Sequence, residues 1–271
     1  MPRADLHTHT TASDGRLSPP GLVEKAYLRG LAVLSVTDHD TLAAYPTAAL
    51  AAGRYGIDLI PGVELSANVN GTDVHLLGYG FDLEDAGLRT HLARYRRERR
   101  ERAEEIAARM ATLGRPIRLE RVLDLAAGGT VGRPHIARAI VEAGHAETVQ
   151  GAFEQYIGNG APAFVPKGKA SAEELIALVH AAGGVCVLAH PGAWVQVRFA
   201  EHLASVGLDG IETVHPAHDD DLREHWRSVA RRLGLFETGG SDYHGFHPRD
   251  DERFGRYTVP VARTVPLRRA A

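Results

Sequence analysis

The sequence predicts an α/β fold in which a barrel-like parallel sheet is interrupted by a small helical insertion. Short apolar runs typical of buried strands alternate with helix-like segments in the first third of the chain and again in the last third. The stretch between them lacks strong strand-like runs. The length of 271 residues is also close to that of one α/β barrel, about 250 residues. We therefore predict barrel segments at residues 1–83 and 167–271 and a helical insertion at residues 84–166.

The pattern of the first barrel segment predicts the order β-α-β-α-β-β. Strands are predicted at residues 5–9, 32–37, 57–64 and 74–79. Helices are predicted at residues 18–29 and 42–55. Each helix is followed by a glycine typical of a helix end, Gly30 or Gly56. Asn70-Gly71 predicts a hairpin turn between the last two strands.

The insertion begins with a long polar helix, predicted at residues 83–113. The arginines from Arg94 to Arg102 could attract RNA, but the glutamates between them favour a solvated helix face. Two shorter helices are predicted, one after Pro134 and one at residues 149–156.

The second barrel segment continues the alternation of helices and strands. Helices are predicted at residues 171–182, 199–206 and 219–233, and strands at residues 185–189, 210–214 and 236–239. Ser171 and Glu174 have the spacing of a capping box at the start of the first of these helices. The tail, residues 263–271, is expected to be a frayed surface segment.

Composition and charge exclude several classes of protein. The formal charge of −3 and the pI near 6.6 exclude a generally basic nucleic-acid or membrane-surface protein. A single cysteine, Cys186, cannot form an internal disulfide and is interpreted as a core residue. No apolar leader or membrane-length run is visible. We expect a cytoplasmic location with no membrane contact, and we infer no obligate protein partner.

Histidine is frequent, with 15 residues, and many candidate metal ligands follow predicted strands. One residue separates His7 from His9, so on a strand their side chains share a face and can bind one ion. Asp14 follows in the next loop. Other candidates come at the ends of later strands: Asp38, His39, Glu64, His75, His190, His215, Asp242 and His244. Because the carboxyl ends of barrel strands surround the active site, we expect these side chains to converge.

The types of ligand narrow the chemistry. Imidazoles mixed with carboxylates suit manganese, iron or zinc, and the absence of cysteine around the cluster argues against a thiolate zinc site. Two or more ions bridged by a carboxylate would activate water and bind phosphoryl oxygens, so hydrolysis is the favoured reaction class. The sequence has no P-loop, GxSxG or strand-linked GxGxxG motif, which leaves nucleotide-triphosphatase, serine-hydrolase and dinucleotide-binding functions without support.

Other polar residues have simpler interpretations. Five histidines on predicted helices are interpreted as surface or core residues: His91, His145, His180, His202 and His225. Asp38 and Asp40 are expected to orient an imidazole or cap the following helix rather than bind metal directly. For His215, substrate contact, a supporting contact to a ligand and simple exposure all stay open.

Six motifs resemble those of the polymerase and histidinol phosphatase (PHP) domain superfamily. They are DLHTHTTASDG at residues 5–15, VTDHD at 36–40, PGVELS at 61–66, HLLGY at 75–79, LAHPG at 188–192 and GSDYHG at 240–245. The resemblance implies a distorted (β/α)7 barrel, similar to a TIM barrel, with a trinuclear metal centre. It implies one ion held by His7, His9, Glu64 and Asp242, a second held by Glu64, His75 and His190, and a third held by Asp14, His39 and His244.

A further segment, GRPHIA at residues 132–137, and the helical insertion resemble one branch of the superfamily. That branch contains 3′,5′-nucleoside bisphosphate phosphatases and a 5′-to-3′ exoribonuclease that trims short RNA. Pro134 at the start of a helix would place Arg133 and free backbone N–H groups where an anion can bind, although a structural salt bridge is the alternative for Arg133. We therefore predict substrate contacts from Arg133, His135, Lys167 and Lys169.

The resemblance implies a phosphohydrolase that acts on nucleoside bisphosphates or on the end of a short oligoribonucleotide. Divalent ions are the expected cofactors, up to three per chain, with Mn²⁺ first and Fe²⁺, Zn²⁺ or Mg²⁺ as alternatives. Asp14, His190 and His244 are the expected catalytic residues, and the acid for the leaving oxygen stays open between His190, a metal ion and water. The alternative functions are a histidinol-phosphate-type phosphatase, a nucleic-acid-binding module without catalysis, and a structural role for the metals.

Overall fold

Eight strands of a single sheet curl into a nearly closed barrel in residues 1–69, 72–166 and 170–268, the parts of the chain that this computed structural model describes. The strands lie in the order β7-β6-β5-β4-β3-β2-β1-β8. Their bounds are β1 Arg3–Asp5, β2 Val33–Val36, β3 Asp58–Val69, β4 Thr72–Tyr79, β5 Val185–Leu188, β6 Gly210–Val214, β7 Phe236–Gly239 and β8 Val259–Pro260. The predicted α/β barrel is therefore confirmed.

Hydrogen bonds beyond the end of β1 close the barrel. The Leu6 N–H donates to Gly239 O at 3.2 Å, and the Asp242 N–H donates to His7 O at 2.9 Å. These bonds join the chain after β1 to the chain at and after β7. They bring β1 and β7 together at the carboxyl ends of these strands.

The sheet departs from a fully parallel barrel at two strands. Strand β4 runs antiparallel to both β3 and β5, and β8 runs antiparallel to β1. The pairing of β3 with β4 extends to Val69 and Thr72, so two residues connect the strands, whereas a parallel crossover needs about a dozen or more. A hairpin is therefore confirmed, while its predicted turn at Asn70-Gly71 lies outside the described residues.

Ten helices surround the sheet or fill the long connection between β4 and β5, within the ranges given above. They are α1 Pro19–Leu28, α2 Tyr45–Tyr55, α3 Ala86–Thr112, α4 Leu119–Leu125, α5 Arg133–Glu142, α6 Val149–Ala152, α7 Ala172–Ala181, α8 Val197–Ser205, α9 Asp220–Leu233 and α10 Pro248–Arg253. A π-helix, Phe153–Ile157, continues α6, and a 3₁₀-helix, Val261–Arg268, ends the described chain. None of the helices in these ranges is long and apolar enough to cross a bilayer.

Local signals explain several helix boundaries. The Ser18 hydroxyl caps α1, and the predicted capping box of Ser171 and Glu174 is present at α7. Helix α2 ends at Gly56, whose φ of 67° is the left-handed conformation that glycine adopts without strain. The predicted start of α2 at residue 42 is wrong, because the helix begins at Tyr45, directly before a proline that favours the first turn. Helices α4 and α10 were not predicted.

The tail is more ordered than the sequence indicates. Residues 263–268 belong to the 3₁₀-helix, in which Thr264 and Leu267 are fully buried. A Cβ built on Gly80 would lie 2.0 Å from Leu267 O, so the tail packs closely against the end of β4. The prediction of a frayed surface segment is therefore wrong for these residues, because the tail covers one end of the barrel.

Apolar side chains fill the barrel interior at the end opposite the predicted site. They include Leu6, Val33, Ile60, Leu77, Tyr79, Val185 and Val187. The Tyr79 hydroxyl donates to Leu6 O at 2.8 Å, which satisfies the polar group in this layer. Cys186 is fully buried in β5, as expected of a core residue. Because this layer closes the barrel interior, a ligand site has room at the carboxyl ends of the strands.

The helices between β4 and β5 share a second cluster of buried apolar side chains. It includes Ala103, Ile106, Met110, Val122, Ile136, Ile140 and Ile157. Helix α3 contributes to this cluster and, through Leu88, Leu92 and Tyr95, to the cluster between the sheet and its outer helices. The division of the chain into barrel and insertion at residues 83/84 and 166/167 stays a prediction.

The charged segment of α3 is partly buried, contrary to the prediction of a solvated face. Arg99 is 7% exposed and forms an ion pair with Asp40 at 2.6 Å. Arg102 is 8% exposed and donates to Val165 O at 2.7 Å. One face of the helix is therefore built into the protein, while arginines such as Arg97 and Arg100 remain at the surface with i,i+4 glutamate partners.

Candidate metal centre

The structure brings together all the predicted metal ligands at the end of the barrel where the parallel strands β1, β2, β5 and β7 have their carboxyl ends. The nine side chains fall into four overlapping groups: His9, Asp14, His39 and His244; His7, Glu64 and His190; His7, His9 and Asp242; and His39, Glu64 and His75. In each group the potential ligand atoms lie within 4.8 Å of one another. Residues from β3, β4 and the loops after β1, β2, β5 and β7 therefore meet at one place.

Glu64 lies at the centre of the cluster. Its Oε1 is 2.7 Å from His75 Nδ1 and 3.2 Å from His190 Nε2. Its Oε2 is 3.1 Å from His39 Nδ1 and 3.3 Å from both His7 Nε2 and His9 Nε2. Burial raises the pKa of Glu64, but the surrounding histidines outweigh burial and hold the pKa well below its usual range. Glu64 is therefore an ionised carboxylate that can bridge two ions.

Asp14 and Asp242 complete the cluster on the side of His9. Asp242 Oδ1 is 3.3 Å from His7 Nε2 and 3.1 Å from His9 Nε2. Asp14 Oδ1 is 3.4 Å from His244 Nε2, and its Oδ2 is 3.7 Å from His39 Nε2. Burial opposes ionisation of both carboxyls, yet the neighbouring histidines lower both pKa values well below the usual range.

The spacing and the unsatisfied atoms fit divalent metal ions. Two ligands bound at about 2.1 Å to one ion, at about 90–110°, lie roughly 3.0–3.4 Å apart, as most of these pairs do. His7 Nε2, His9 Nε2, Asp14 Oδ1 and His39 Nδ1 are buried and form no well-aligned hydrogen bond among the described residues, although polar atoms lie 3.1–3.4 Å from each of them. Burying such atoms without a partner is costly, and a bound cation would satisfy them. The residues present therefore fit a metal centre of nitrogen and oxygen ligands.

Strained backbone occurs at the same place. His190, Asp242 and Asp40 have φ angles of 27°, 49° and 51°, in the region that residues with a Cβ seldom adopt. Such conformations persist only where surrounding contacts hold them, and they are concentrated at functional sites. His190 and Asp242 therefore point into the cluster at a cost that the fold must offset.

Glu212 supports the cluster and was missed by the sequence analysis. It is fully buried on β6, where His7 Nδ1 donates to it at 3.1 Å and the His190 N–H donates at 2.8 Å. Burial raises the pKa of Glu212, but His7 and its neighbours lower the pKa below the usual value. The sequence feature that could have indicated Glu212 is a single acidic residue within the otherwise uncharged strand GIETV. His215, left open above, is 6% exposed with Nε2 3.3 Å from Asp242 Oδ2, so it supports a ligand and is not simply exposed.

Asp38 and Asp40 lie beside the cluster without joining any of its groups. Asp38 accepts hydrogen bonds from the Thr10 N–H at 2.8 Å and from the Thr10 and Ser13 hydroxyls, which orders the loop that carries Asp14. Asp40 binds Arg99 from α3. The alternative that either residue caps the following helix is wrong, because α2 has no side-chain cap.

A cavity of about 270 Å³ opens onto the cluster. It is lined by seven of the nine candidate ligands together with Arg99, Gly132, Arg133, Pro134 and Phe153. Arg133, one of the predicted substrate contacts, both lines the cavity and forms an ion pair with Asp73 at 2.8 Å. His135 is 3% exposed, and its Nδ1 accepts from the Gly132 N–H at 3.0 Å. Lys167 and Lys169 lie outside the described residues.

The five histidines assigned to helices lie outside all four groups. His180 and His202 pair with Asp209 and Glu173, both at 2.7 Å. His91 stacks on Tyr95 with ring centroids 4.6 Å apart. These contacts fit their interpretation as surface or structural residues.

Sequence comparisons identify relatives that span most of the chain. The model of the PHP domain matches residues 5–203. The 5′-3′ exoribonuclease Rnm of Salmonella typhimurium is 37% identical over 248 residues, which is 89% of this chain and 84% of that protein. A 3′,5′-nucleoside bisphosphate phosphatase of Chromobacterium violaceum is 33% identical over 250 residues, or 90% of this chain and 88% of that protein.

Solved structures show the same fold. A protein of Bifidobacterium adolescentis, provisionally assigned as a metal-dependent phosphoesterase, has a TM-score of 0.83 and 34% identity, covering 89% of this chain and 87% of its own. An amidohydrolase of Chromobacterium violaceum with bound sulfate has a TM-score of 0.86 and 31% identity, covering 95% and 91%. Together with the match to the family model, these similarities establish that the chain belongs to the PHP domain family.

Proposed function

We propose that the chain is a metal-dependent phosphohydrolase that removes the 3′-phosphate of 3′,5′-nucleoside bisphosphates or trims short RNA from its 5′ end. The observation that carries the proposal is the convergence of nine histidine, aspartate and glutamate side chains at a cavity that Arg99 and Arg133 also line. The similarity to a bisphosphate phosphatase and to exoribonucleases supports this class of substrate.

We assign up to three divalent ions to the centre, with Mn²⁺ as the first candidate. The first would be held by His7, His9, Glu64 and Asp242, the second by Glu64, His75 and His190, and the third by Asp14, His39 and His244. The positions of Glu64 and Asp242 support this assignment, because each carboxylate lies within ligand spacing of two or more histidines. Bound ions would lower the pKa of a water molecule and offset the charge of a phosphoryl group.

The remaining roles belong to side chains that line the cavity. The planar guanidinium of Arg133 can hold a phosphate through two parallel hydrogen bonds and so orient the ester. Its ion pair with Asp73 keeps the guanidinium in place before the substrate binds. The ring of His190 lines the same cavity, so it can either hold the second ion through Nε2 or donate a proton to the leaving oxygen, but not both. When His190 binds the ion, a metal ion or a water molecule would take up the charge of that oxygen. Asp14 and His244 are assigned to catalysis as ligands facing the substrate.

Phosphate release from a panel of substrates tests the proposal. The protein would be stripped of metal, reconstituted with Mn²⁺ and supplied with 3′,5′-adenosine bisphosphate, a short 5′-phosphorylated RNA and histidinol phosphate. We expect release of the 3′-phosphate from the bisphosphate or stepwise release of nucleotides from the RNA. Turnover of histidinol phosphate alone would instead support a histidinol-phosphate-type phosphatase, and binding without turnover would support a nucleic-acid-binding module.

The substrate contacts of His135, Lys167 and Lys169 and the cytoplasmic location also stay predictions. A purely structural role for the metals is tested by chelation, which would then unfold the protein rather than only stop catalysis.

A further inference from the structure

An exposed tryptophan follows the metal centre on the loop after β5. Trp194 comes four residues after His190 and is 61% exposed. The chain has two tryptophans, and the other, Trp226, is fully buried. An indole left at the surface presents a large apolar face that is available to a ligand.

The indole of Trp194 is packed against the backbone of its own loop. A Cβ built on Gly192 would lie 2.8 Å from Trp194 Nε1 and 2.9 Å from its Cδ1. The Val195 N–H donates to Gly192 O at 3.0 Å, which closes a tight turn around the tryptophan. The absence of a side chain at Gly192 therefore lets the ring lie on the loop, which fixes its position while most of its surface stays exposed.

Trp194 lines a groove of about 660 Å³ whose other walls carry polar, charged, aromatic and apolar side chains, including Glu173. Gln196, Arg198 and Phe199 line it from the start of α8, and Asn68 and Val74 line it from the β3–β4 hairpin. Arg198 is exposed and forms no ion pair within the described part of the chain. The indole of Trp194, the guanidinium of Arg198 and the amide of Gln196 match the chemistry of a nucleotide, which has a flat base and anionic oxygens.

The groove borders two structural elements that also carry candidate metal ligands. Trp194 shares a loop with His190, and Val74 directly precedes His75 on β4. His75 and His190 both lie next to Glu64, at 2.7 and 3.2 Å. The loop and the hairpin that border the groove therefore also position two candidate ligands of the metal centre.

We propose that this groove is the nucleobase subsite of the enzyme, in which the base of the substrate stacks on Trp194. The inference rests on the proposed function, because it takes the substrate to be a nucleotide or an RNA end. Stacking tolerates any base, since every base has a π-face, so the subsite would select nucleotides over base-free phosphate esters without reading sequence. Gln196 and Arg198 would supply polar contacts at the edge of the groove.

Kinetics of three variants test the role of the ring. Loss of a base–aromatic stack in Trp194→Ala is expected to raise KM for 3′,5′-adenosine bisphosphate roughly 5- to 100-fold with little change in kcat. Trp194→Phe keeps an aromatic face and should recover most of the loss. Tyr27→Ala is the matched control, because Tyr27 is also an exposed aromatic residue, 52% exposed, but lies in the last turn of α1. An unchanged KM in Trp194→Ala would overturn the inference.

Tryptophan fluorescence gives a readout that does not depend on turnover. Magnesium-loaded protein would be titrated with adenosine 5′-monophosphate, the product of the proposed reaction, and with ribose 5-phosphate, which lacks a base. We expect the nucleotide to quench the wild-type emission and ribose 5-phosphate to leave it unchanged. Trp194→Phe should lose the response, because its remaining tryptophan, Trp226, is buried and cannot stack on the base. Turnover without nucleotide-specific quenching would overturn the subsite and leave the proposed function intact. Quenching without turnover would support the subsite while the proposed function fails.

Discussion

His7 Nδ1 donates a hydrogen bond to the Glu212 carboxylate at 3.1 Å, and both side chains are fully buried. With a metal ion bound, Nδ1 would keep the proton that it donates to Glu212, and Nε2, which lies 3.3 Å from both Glu64 and Asp242, would be the atom free to bind the ion. Glu212 also accepts from the His190 N–H at 2.8 Å, next to a strained φ of 27°. One carboxylate thus orients two candidate ligands from different loops.

Glu212→Gln should weaken metal binding while leaving the fold intact. The amide keeps one acceptor oxygen but loses the charge that favours the required His7 tautomer, so metal affinity should fall about 10- to 100-fold. Calorimetric titration of the stripped protein with Mn²⁺ measures this change. Glu237→Gln is a matched control, since Glu237 is a strand glutamate of β7 that contacts Arg227 and Arg263 instead. Equal affinities in wild type and Glu212→Gln would contradict a positioning role.

Asp14→Ala and His244→Ala should each remove most of the phosphatase activity. Their side chains approach to 3.4 Å and share one group of potential ligands with His9 and His39. Rates of phosphate release should therefore fall by at least about 10²-fold, as expected for loss of a catalytic group. Metal content measured by mass spectrometry would accompany each assay. Full activity in a variant that holds its full complement of metal would exclude the assigned role.

Metal binding should release protons and strengthen as pH rises. Burial lowers the pKa of His244, but the Asp14 and Asp242 carboxylates outweigh burial and raise it to about 10. At neutral pH the metal-free protein therefore holds a proton that the metal must displace, and affinity should increase as pH approaches about 10. In the metal-free fold, the stabilisation from protonated His244 is complete below about pH 6.5 and is lost as pH rises through about 10. Calorimetry in buffers of different ionisation enthalpy counts the protons, and a count of zero at pH 7 would refute this prediction.

Arg133 should matter for substrate binding through the shape of its guanidinium. Arg133→Ala is expected to raise KM for 3′,5′-adenosine bisphosphate about 10- to 100-fold, because it removes hydrogen bonds to a charged group. Arg133→Lys keeps the charge but loses the planar fork, so it should recover only part of the affinity. Steady-state kinetics distinguish the two variants. If the ion pair of Arg133 with Asp73 is purely structural, Arg133→Ala would instead lower thermal stability and leave KM unchanged.

The buried ion pair of Arg99 and Asp40 should stabilise the contact between α3 and the barrel. Arg99→Met leaves the fully buried Asp40 carboxylate without its cation and should lower the free energy of unfolding by about 3–5 kcal/mol. The double variant with Asp40→Asn removes both charges and should lose less. Urea unfolding measures both values. Additive losses in the double variant would show that the two side chains are not coupled.

Eleven candidate metal ligands could be predicted from sequence because their chemistry and their placement agree, and the resemblance to the PHP superfamily selected nine of them. His7, His39, His190 and Asp242 each come just after a strand of the sheet, and barrel topology brings such positions together. Glu212 could not be assigned in the same way, because it stands within a strand and its partner His7 is 205 residues away. Its function depends on a pairing that local sequence does not encode.

The burial of Arg99 was hidden by the composition of α3. The helix is dense in arginine and glutamate, which favours a solvent-exposed interpretation. Its buried stripe nevertheless passes through Leu92, Tyr95, Arg99 and Arg102 at helical spacing. Position in that stripe predicts burial better than residue type does here, because the charged ends of both arginines find partners inside the protein. The order of the tail could not be predicted either, because its packing against Gly80 is a tertiary contact that local sequence does not encode.

Metal-dependent hydrolysis is tested by the initial rate of phosphate release from 3′,5′-adenosine bisphosphate, measured before and after Mn²⁺ is added to metal-stripped protein. We predict no detectable release from the stripped protein, restoration by Mn²⁺, and no restoration in Asp14→Ala. Equal rates with and without metal, or no turnover by protein that holds its full complement of metal, would contradict the account.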